Sequence, residues 1–471
     1  VSVKPGFIQF FRDGINVGKG RLPMDYNMGR GNIYIGEYLK DKGFPMHGWL
    51  DEIKIYATPM SEKDYPPIIT ITTDQSDSTY KCGDTATFKI SIKRKGNVII
   101  GENIKYCLSL GGVQELLKGE EILKSQPLEI KGTLQYPGAL RCTVIYNDTK
   151  KTYTSLGVAV FEPRKIEPVT KEPEDFIDFW NAKKKELAKI PLNPRITKSE
   201  KHSTKNVTVY KVRLGNINDS HVYGWLGVPV GKGPFPAILT LPYAGVYPLS
   251  GSATGEWIGW AQKDFIAMGI SIHNCEPDLS AEAYKKLPQF SSGYYAFVGR
   301  NNRETSYFLR AFLGCIRAID YLTSRPDWDK KNMIVTGSSQ GGGLSIVTAG
   351  LDSRVTAMAA NVPALCEHTG KFSGRPSGWP NLVSPKDTGV VANVSTYFDA
   401  VNFARHIQSP TLISVGFIDT TCPPMTVYSA FNVIPGEKQI LPFPLMGHSQ
   451  IKKYIEIRDK WIIKQVERRK N

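Results

Sequence analysis

From Val209 onward the chain alternates short, nearly continuous apolar runs with longer amphipathic stretches. Ala237-Ile238-Leu239-Thr240-Leu241, Ala267–Ile272, Met333-Ile334-Val335-Thr336, Val355–Val362, Thr411-Leu412-Ile413-Ser414-Val415 and Gln439-Ile440-Leu441 read as strands buried on both faces. Val209–Leu214 and Val222–Val230 read as an antiparallel pair, and Phe308–Leu322 as a helix before the Met333 strand. Glu174-Asp175 opens an earlier helix with Phe176, Phe179, Trp180 and Leu187 on one face. Buried strands separated by helices predict an α/β domain over 168–471, built on a mostly parallel sheet covered on both sides.

The upstream pattern is different. Residues 67–161 show short strands with turn signals, among them Thr85–Ile92, Ile104–Leu108 and, after the Pro137-Gly138 turn, Leu140–Tyr146. Their size and spacing fit an immunoglobulin-like sandwich, read as a structural or orienting module. Residues 1–63 alternate around Asp13-Gly14 and close with Gly48-Trp49-Leu50-Asp51-Glu52-Ile53-Lys54-Ile55-Tyr56. That ending resembles the last strands of a laminin-G or concanavalin-type lectin sandwich, cut to half its length, and reads as a remnant or spacer. Between Glu162-Pro163 and Glu172-Pro173 lies a Pro-spaced charged segment, expected to act as a stiff linker.

Composition narrows the classes. At 471 residues, with 41% hydrophobic and 22% charged positions, the chain suits two or three packed domains. No apolar run is long enough to span a membrane. The net charge of +15 comes from scattered small groups such as Lys183-Lys184-Lys185 and Lys452-Lys453. It reads as solvated surface, with attraction to acidic polysaccharide second. No nucleic-acid-binding pattern is present, and no nucleic-acid partner is expected. Seven cysteines without C-x-x-C spacing argue against a structural zinc site. Cys107 and Cys142 are positioned for a cross-strand pair, with free buried thiols as the default. The start at Val1, without Met, reads as processed or truncated.

The chemistry concentrates at Gly337-Ser338-Ser339-Gln340-Gly341, which follows the Met333 strand and precedes Gly342-Gly343-Leu344. A strand, a tight turn and a helix start with serine at the apex make a nucleophile elbow, the hallmark of an α/β-hydrolase. A serine hydroxyl needs a base to take its proton, and the chain order of this fold is Ser, acid, His. Of the three downstream histidines, His448 follows the last strand; His406 falls in a helical stretch, and His368 comes too early. Asp419 ends the Thr411 strand, where a carboxylate would accept from the histidine Nδ1–H. Asp399 is the alternative acid, better suited to an N-cap. For the oxyanion hole the expected donors are the amides of Gln340 and of Tyr243, since Pro242 has no N–H.

These residues resemble the acetyl xylan esterase / cephalosporin-C deacetylase family, grouped as carbohydrate esterase family 7. Over 168–465 the matching stretches are Pro173-Glu174-Asp175-Phe176-Ile177-Asp178-Phe179-Trp180 and Gly337–Gly343. Asn361-Val362-Pro363-Ala364-Leu365-Cys366, Ser414–Asp419 and Cys422-Pro423-Pro424-Met425-Thr426-Val427 follow in order. The resemblance implies Ser339, Asp419 and His448 as triad and the Tyr243 and Gln340 amides as oxyanion donors. It also implies an acylated polysaccharide or oligosaccharide as substrate, with no metal or organic cofactor. Two positions depart from the family: His273-Asn274-Cys275-Glu276 stands where Arg-Gly-Gln is usual, and His448-Ser449 where His-Glu is usual. The first departure and the upstream sandwiches argue against the family's hexameric ring. Trp257, Trp260, His273 and Tyr294 are the candidate substrate contacts. The domain combination resembles secreted or periplasmic polysaccharide-degrading proteins of gut and rumen bacteria. The competing readings are a prolyl-oligopeptidase-like peptidase and an inactive carbohydrate-binding scaffold.

Overall fold

The computed structural model describes residues 65–148, 151–249, 256–291, 294–387 and 389–469, together with the strands Ser2–Lys4, Phe7–Arg12 and Ile15–Arg21. Those three strands form an antiparallel sheet. The rest of the lectin-like reading of 1–63 lies outside the described residues.

Between Ile68 and Phe161 two sheets face each other. One runs Leu128–Gly132, Ala86–Arg94, Ile68–Thr73; the other runs Thr79–Tyr80, Thr152–Phe161, Gly138–Asn147, Asn103–Leu110, Gln114–Ile122. Alternation sets the facing: Ala86, Phe88, Ile90 and Ile92 are buried while Lys89 and Lys93 are exposed, as period-2 geometry requires. Cys107 pairs in register with Thr143, and Cys142 with Leu108. Adjacent positions on a strand point to opposite faces, so the two sulfurs lie on opposite sides of the sheet; all seven cysteines are free thiols.

The segment expected to act as a stiff linker is instead a strap. Asn432 Nδ2 donates to the carbonyls of Pro163 (2.9 Å) and Ile166 (2.8 Å), and Asn402 Nδ2 to that of Lys171. The amides of Val169 and Thr170 donate to the buried Glu367 carboxylate. Extended backbone beside a folded surface must satisfy its polar groups somewhere, and here the surface supplies the partners.

The downstream domain is a nine-stranded sheet: β1 (Arg195–Lys198), β2 (Val207–Gly215), β3 (His221–Pro229), β4 (Phe235–Leu241), β5 (Ile266–Ser271), β6 (Trp328–Ser338), β7 (Ala357–Asn361), β8 (Thr411–Gly416) and β9 (Lys438–Phe443), in spatial order 1-2-3-5-4-6-7-8-9. The first three strands are antiparallel, and β5, β4 and β6–β9 run parallel. Successive residues serve opposite faces. Leu239 and Val335 pack under helices α1 (Phe176–Lys189), α2 (Tyr307–Ser324) and α3 (Gln340–Leu351); Ile238 and Ile334 face a second apolar layer. Helix α4 (Lys452–Arg468) contributes Ile462 and Val466 to that second layer. This α/β-hydrolase arrangement brings the carboxyl ends of β4, β6, β8 and β9 to one edge, where ligands bind in such sheets.

Candidate active site

At the end of β6 the backbone must reverse into α3 within one residue, and Ser339 takes φ 58°, ψ −120° to do it. A non-glycine residue held there stores about 1–3 kcal/mol, sustained by the surrounding packing. Glycine flanks it because no side chain fits. A Cβ on Gly337 would lie 2.5 Å from the Gly341 carbonyl, and one on Gly341 would lie 2.2 Å from that of Leu241. The Ser339 amide donates to the Asn361 carbonyl and its own carbonyl accepts from Ala364, so the end of β7 and the loop after it clamp the turn.

The strand-end loops deliver the other two groups. His448 Nε2 lies 2.8 Å from Ser339 Oγ, and its Nδ1 lies 2.8 Å from Asp419 Oδ2. The second carboxylate oxygen, Oδ1, accepts the amides of Thr421 and Cys422 at 2.8 Å each. The Asp419 side chain is fully buried and that of His448 is 28% exposed, so the acid is fixed in place while the imidazole meets the cavity. A carboxylate accepting from Nδ1–H leaves Nε2 as the acceptor facing the hydroxyl, the tautomer a general base requires.

Two backbone amides are the candidate oxyanion donors: the one that follows Ser339 and that of Tyr243, which lines the same cavity as Ser339. The amide of Gln340 is the first of α3, with no carbonyl a turn behind it to bond. The Tyr243 amide has no protein partner among the described residues. Gln340 also shapes the loop: Nε2 reaches the carbonyls of Pro242 (3.3 Å) and Tyr243 (3.4 Å), and Oε1 accepts from Tyr295 Oη. Tyr295 Oη in turn accepts the Gly245 amide, and His273 Nε2 lies 2.7 Å from the Gly245 carbonyl. A carbonyl can only accept, so Nε2 carries the proton and Nδ1 accepts from Tyr307 Oη. Burial pushes the His273 pKa down to about 4, which keeps the ring neutral in this role.

A cavity of about 420 Å³ opens over these groups, lined by Ser339, His448, Leu241, Tyr243, Trp379 and Glu256 among others. Of the candidate substrate contacts, Tyr294 is not a lining residue of this cavity; it is 38% exposed and packs edge-on to Trp379, which does line it. His273 is corrected from a pocket-lining residue to one buried behind the Tyr243–Gly245 loop and bonded to the Gly245 carbonyl. Trp257 and Trp260 are likewise corrected: they are 4% and 1% exposed in the second apolar layer. Trp257 stacks on Trp225 and fills the space above Gly269, where a Cβ would lie 2.6 Å from its ring. Their helix, Glu256–Ala261, turns both indoles toward the sheet and leaves Glu256 facing the cavity.

Asp399 and the other two histidines downstream of Ser339 lie elsewhere. His406 bonds Glu172 and stacks on Phe176, while His368 is wholly buried. Asp399 caps the Ala400–Ala404 helix through the Val401 amide and also accepts from Glu367, His368 and Thr170. Asp419, Cys422 and His448 bring three ligand-type atoms within 4.8 Å of one another. The carboxylate and imidazole are already hydrogen-bonded, and burial holds the thiol pKa far above its usual range, so this donor set does not suit a metal.

Sequence reasoning missed Asn361 and Trp379. Asn361 Nδ2 donates to Ser338 Oγ (2.7 Å) and the Ser449 carbonyl (3.1 Å), and Oδ1 accepts from Ser414 Oγ (2.6 Å). It lay in one of the matching stretches, but nothing in one strand's pattern shows that its side chain meets two others.

Ser339, Asp419 and His448 follow one another along the chain in this order on one sheet. The acetyl xylan esterase (AXE1) family model matches residues 158–373 and 382–465. The chain belongs to the acetyl xylan esterase family. It is 33% identical over 401 residues to acetyl esterase Axe7A of Xylanibacter ruminicola, covering 83% of this chain and 89% of that protein. An acetyl xylan esterase from Paenibacillus sp. R4 superposes with a TM-score of 0.56 at 26% identity, covering 64% of this chain and 98% of that one. Acetyl xylan esterase 1 from Thermoanaerobacterium sp. JW/SL YS485 gives the same TM-score and coverage at 19% identity and shares the fold. The family match begins at Val158, so it takes in the strap as well as the hydrolase sheet.

Proposed function

We propose that this member of the family is a serine esterase that removes acetyl groups from acetylated plant polysaccharide such as xylan, or from its oligosaccharides. Ser339 is the nucleophile, His448 the general base and Asp419 the acid. The carrying observation is the unbroken hydrogen-bonded chain from Ser339 Oγ through the imidazole to Asp419.

As Oγ attacks the ester carbonyl, His448 Nε2 takes its proton and Asp419 stabilises the imidazolium. Negative charge gathers on the former carbonyl oxygen, where the Tyr243 and Gln340 amides meet it; one such donor is worth about a hundred- to a thousandfold in rate. The imidazolium then protonates the departing sugar alkoxide. Water, deprotonated by the same nitrogen, frees acetate and restores the serine. Every step uses groups of this chain.

Both names matched above are those of acetyl or acetyl xylan esterases, which supports the substrate class. These names do not favour the peptidase or the scaffold reading. The sandwich-plus-esterase arrangement supports action outside the cytoplasm, with residues 67–161 as an immunoglobulin-like orienting module. Acetate release from acetylated xylan, and hydrolysis of p-nitrophenyl acetate, test the proposal. Both are expected in the native chain and to fall at least about a thousandfold in Ser339→Ala. Peptide cleavage without ester cleavage, or activity surviving in Ser339→Ala, would overturn it.

A further inference from the structure

The sandwich touches the hydrolase domain beside the catalytic acid. Gly111 (φ 54°) and Gly112 (φ 81°) form the turn after Asn103–Leu110, and the Arg141 guanidinium lies flat against Gly112 and donates to its carbonyl. Gly111 sits directly against the hydrolase surface. A Cβ there would lie 2.7 Å from Pro376 Cδ and 3.1 Å from Met425 Sδ. Next to this contact a seam of only about 10 Å³ separates Ala139, Arg141 and Val158 from Ile418, Asp419 and Thr420. The loop that presents Asp419 is thus walled on its outer side by the sandwich.

Its inner side explains why that wall matters. Asp419 Oδ1 is held by two amides of its own loop, Thr421 and Cys422, so the carboxylate moves wherever the loop moves. The loop is tied to the hydrolase domain by the Trp379 amide on the Thr421 carbonyl and by a 3.4 Å bond from the Asp419 amide to Gly416. On the remaining side it meets sandwich side chains. A shift of about 1 Å at a catalytic group costs on the order of a hundredfold.

We infer that the sandwich is a positioning element of the active site: its Gly111 turn and the Ala139/Val158 face hold the Asp419 loop in register with His448. This rests on Asp419 being the triad acid. Gly111 is the seat because any side chain there pushes the sandwich off Pro376 and Met425, and the seam at Asp419 opens with it. Gly111 and Val158, which touch no substrate, therefore influence the turnover rate.

The test uses the full chain. Gly111→Asn is chosen because asparagine tolerates positive φ, so its effect reports the collision rather than backbone strain. On p-nitrophenyl acetate it is expected to lower kcat by tenfold or more with KM little changed. It is also expected to weaken or abolish the far-downfield proton resonance of the His448 Nδ1–H···Asp419 bond, which a general loss of stability leaves in place below the melting temperature. Adding Pro376→Ala, which removes the ring atoms met by the new side chain, should restore part of both signals. Leu117→Lys, on an exposed edge strand of the sandwich, should change neither. Should Gly111→Asn fail to fold, Val158→Ala, which loosens the same seam, is expected to lower kcat several-fold. Folded variants of Gly111 or Val158 with unchanged kcat and an unchanged resonance would overturn the inference. Full activity in Asp419→Asn would instead overturn the triad assignment beneath it.

Discussion

Asn361 ties together the segments that carry Ser339, Asp419 and His448. Its one amide reaches the residue before the nucleophile, the carbonyl after the base and the strand that leads to the acid. The Ser449 carbonyl can only accept, which fixes Nδ2 on that side and Oδ1 toward Ser414. Asn361→Asp keeps the shape but sets a carboxylate oxygen against a carbonyl oxygen. It also takes the side-chain donor away from the Ser449 carbonyl. The expected result is a fall in kcat of about ten- to a hundredfold at nearly constant KM. Ser338→Ala, which removes one of the three bonds, should cost only a few-fold. Steady-state kinetics beside melting curves separate these outcomes; equal losses in the two variants would show that Asn361 has no coordinating role.

At the level of elements, the Pro242–Gly245 loop is held by a relay of buried side chains, and its pH response follows from His273. The folded pKa of about 4 lies below the ordinary 6.5, so on acidification the unfolded chain takes up its proton first. Stability is therefore complete above about pH 6.5 and is lost progressively as pH falls toward 4. At pH 5 the loss from this one ring is about 2 kcal/mol. His273→Gln, which keeps a side-chain amide near the Gly245 carbonyl but has no proton to gain, should be less stable than the native chain at pH 7. The gap should narrow by about that amount at pH 5, as measured by denaturant melts. The relay was also where sequence reading failed. Buried apolar runs such as Ala237–Leu241 and Met333–Thr336 announce parallel strands, and chain order with strand ends selects Ser339, Asp419 and His448. Those signals are local. Trp257 and Trp260 looked like sugar platforms because aromatic residues in an insert carry no mark of direction. Only the turn of Glu256–Ala261 against β5, above Gly269, sends them inward. The strap failed the same way: a charged, proline-spaced segment gives no sign that Asn432, Glu367 and Asn402 await its carbonyls and amides.

Across the whole molecule, sandwich and hydrolase domain share one apolar core. A single contiguous cluster runs from Phe88, Cys142 and Phe161 through Phe176 and Phe312 to Cys315 and Phe431. Arg164, on the strap, stacks over the Phe431 ring at 4.6 Å, and Asn432 ties the strap's carbonyls to the same region. Separate domains joined by a free linker open independently, because few contacts cross between them. Here the sandwich cannot leave without exposing the seam at Asp419 and freeing the buried strap, so the two parts should unfold together. Two cysteines report on this. Cys142 is fully buried in the sandwich and Cys315 fully buried in α2, and burial raises each thiol pKa to about 12, so neither reacts until its surroundings open. Labelling with a thiol reagent across a urea series should modify both with the same midpoint. In Asn432→Ala, with the strap's tether gone, Cys142 should become reactive at lower urea than Cys315. Different midpoints in the native chain would mean that the sandwich opens on its own, and the shared core would then carry no cooperativity between the two.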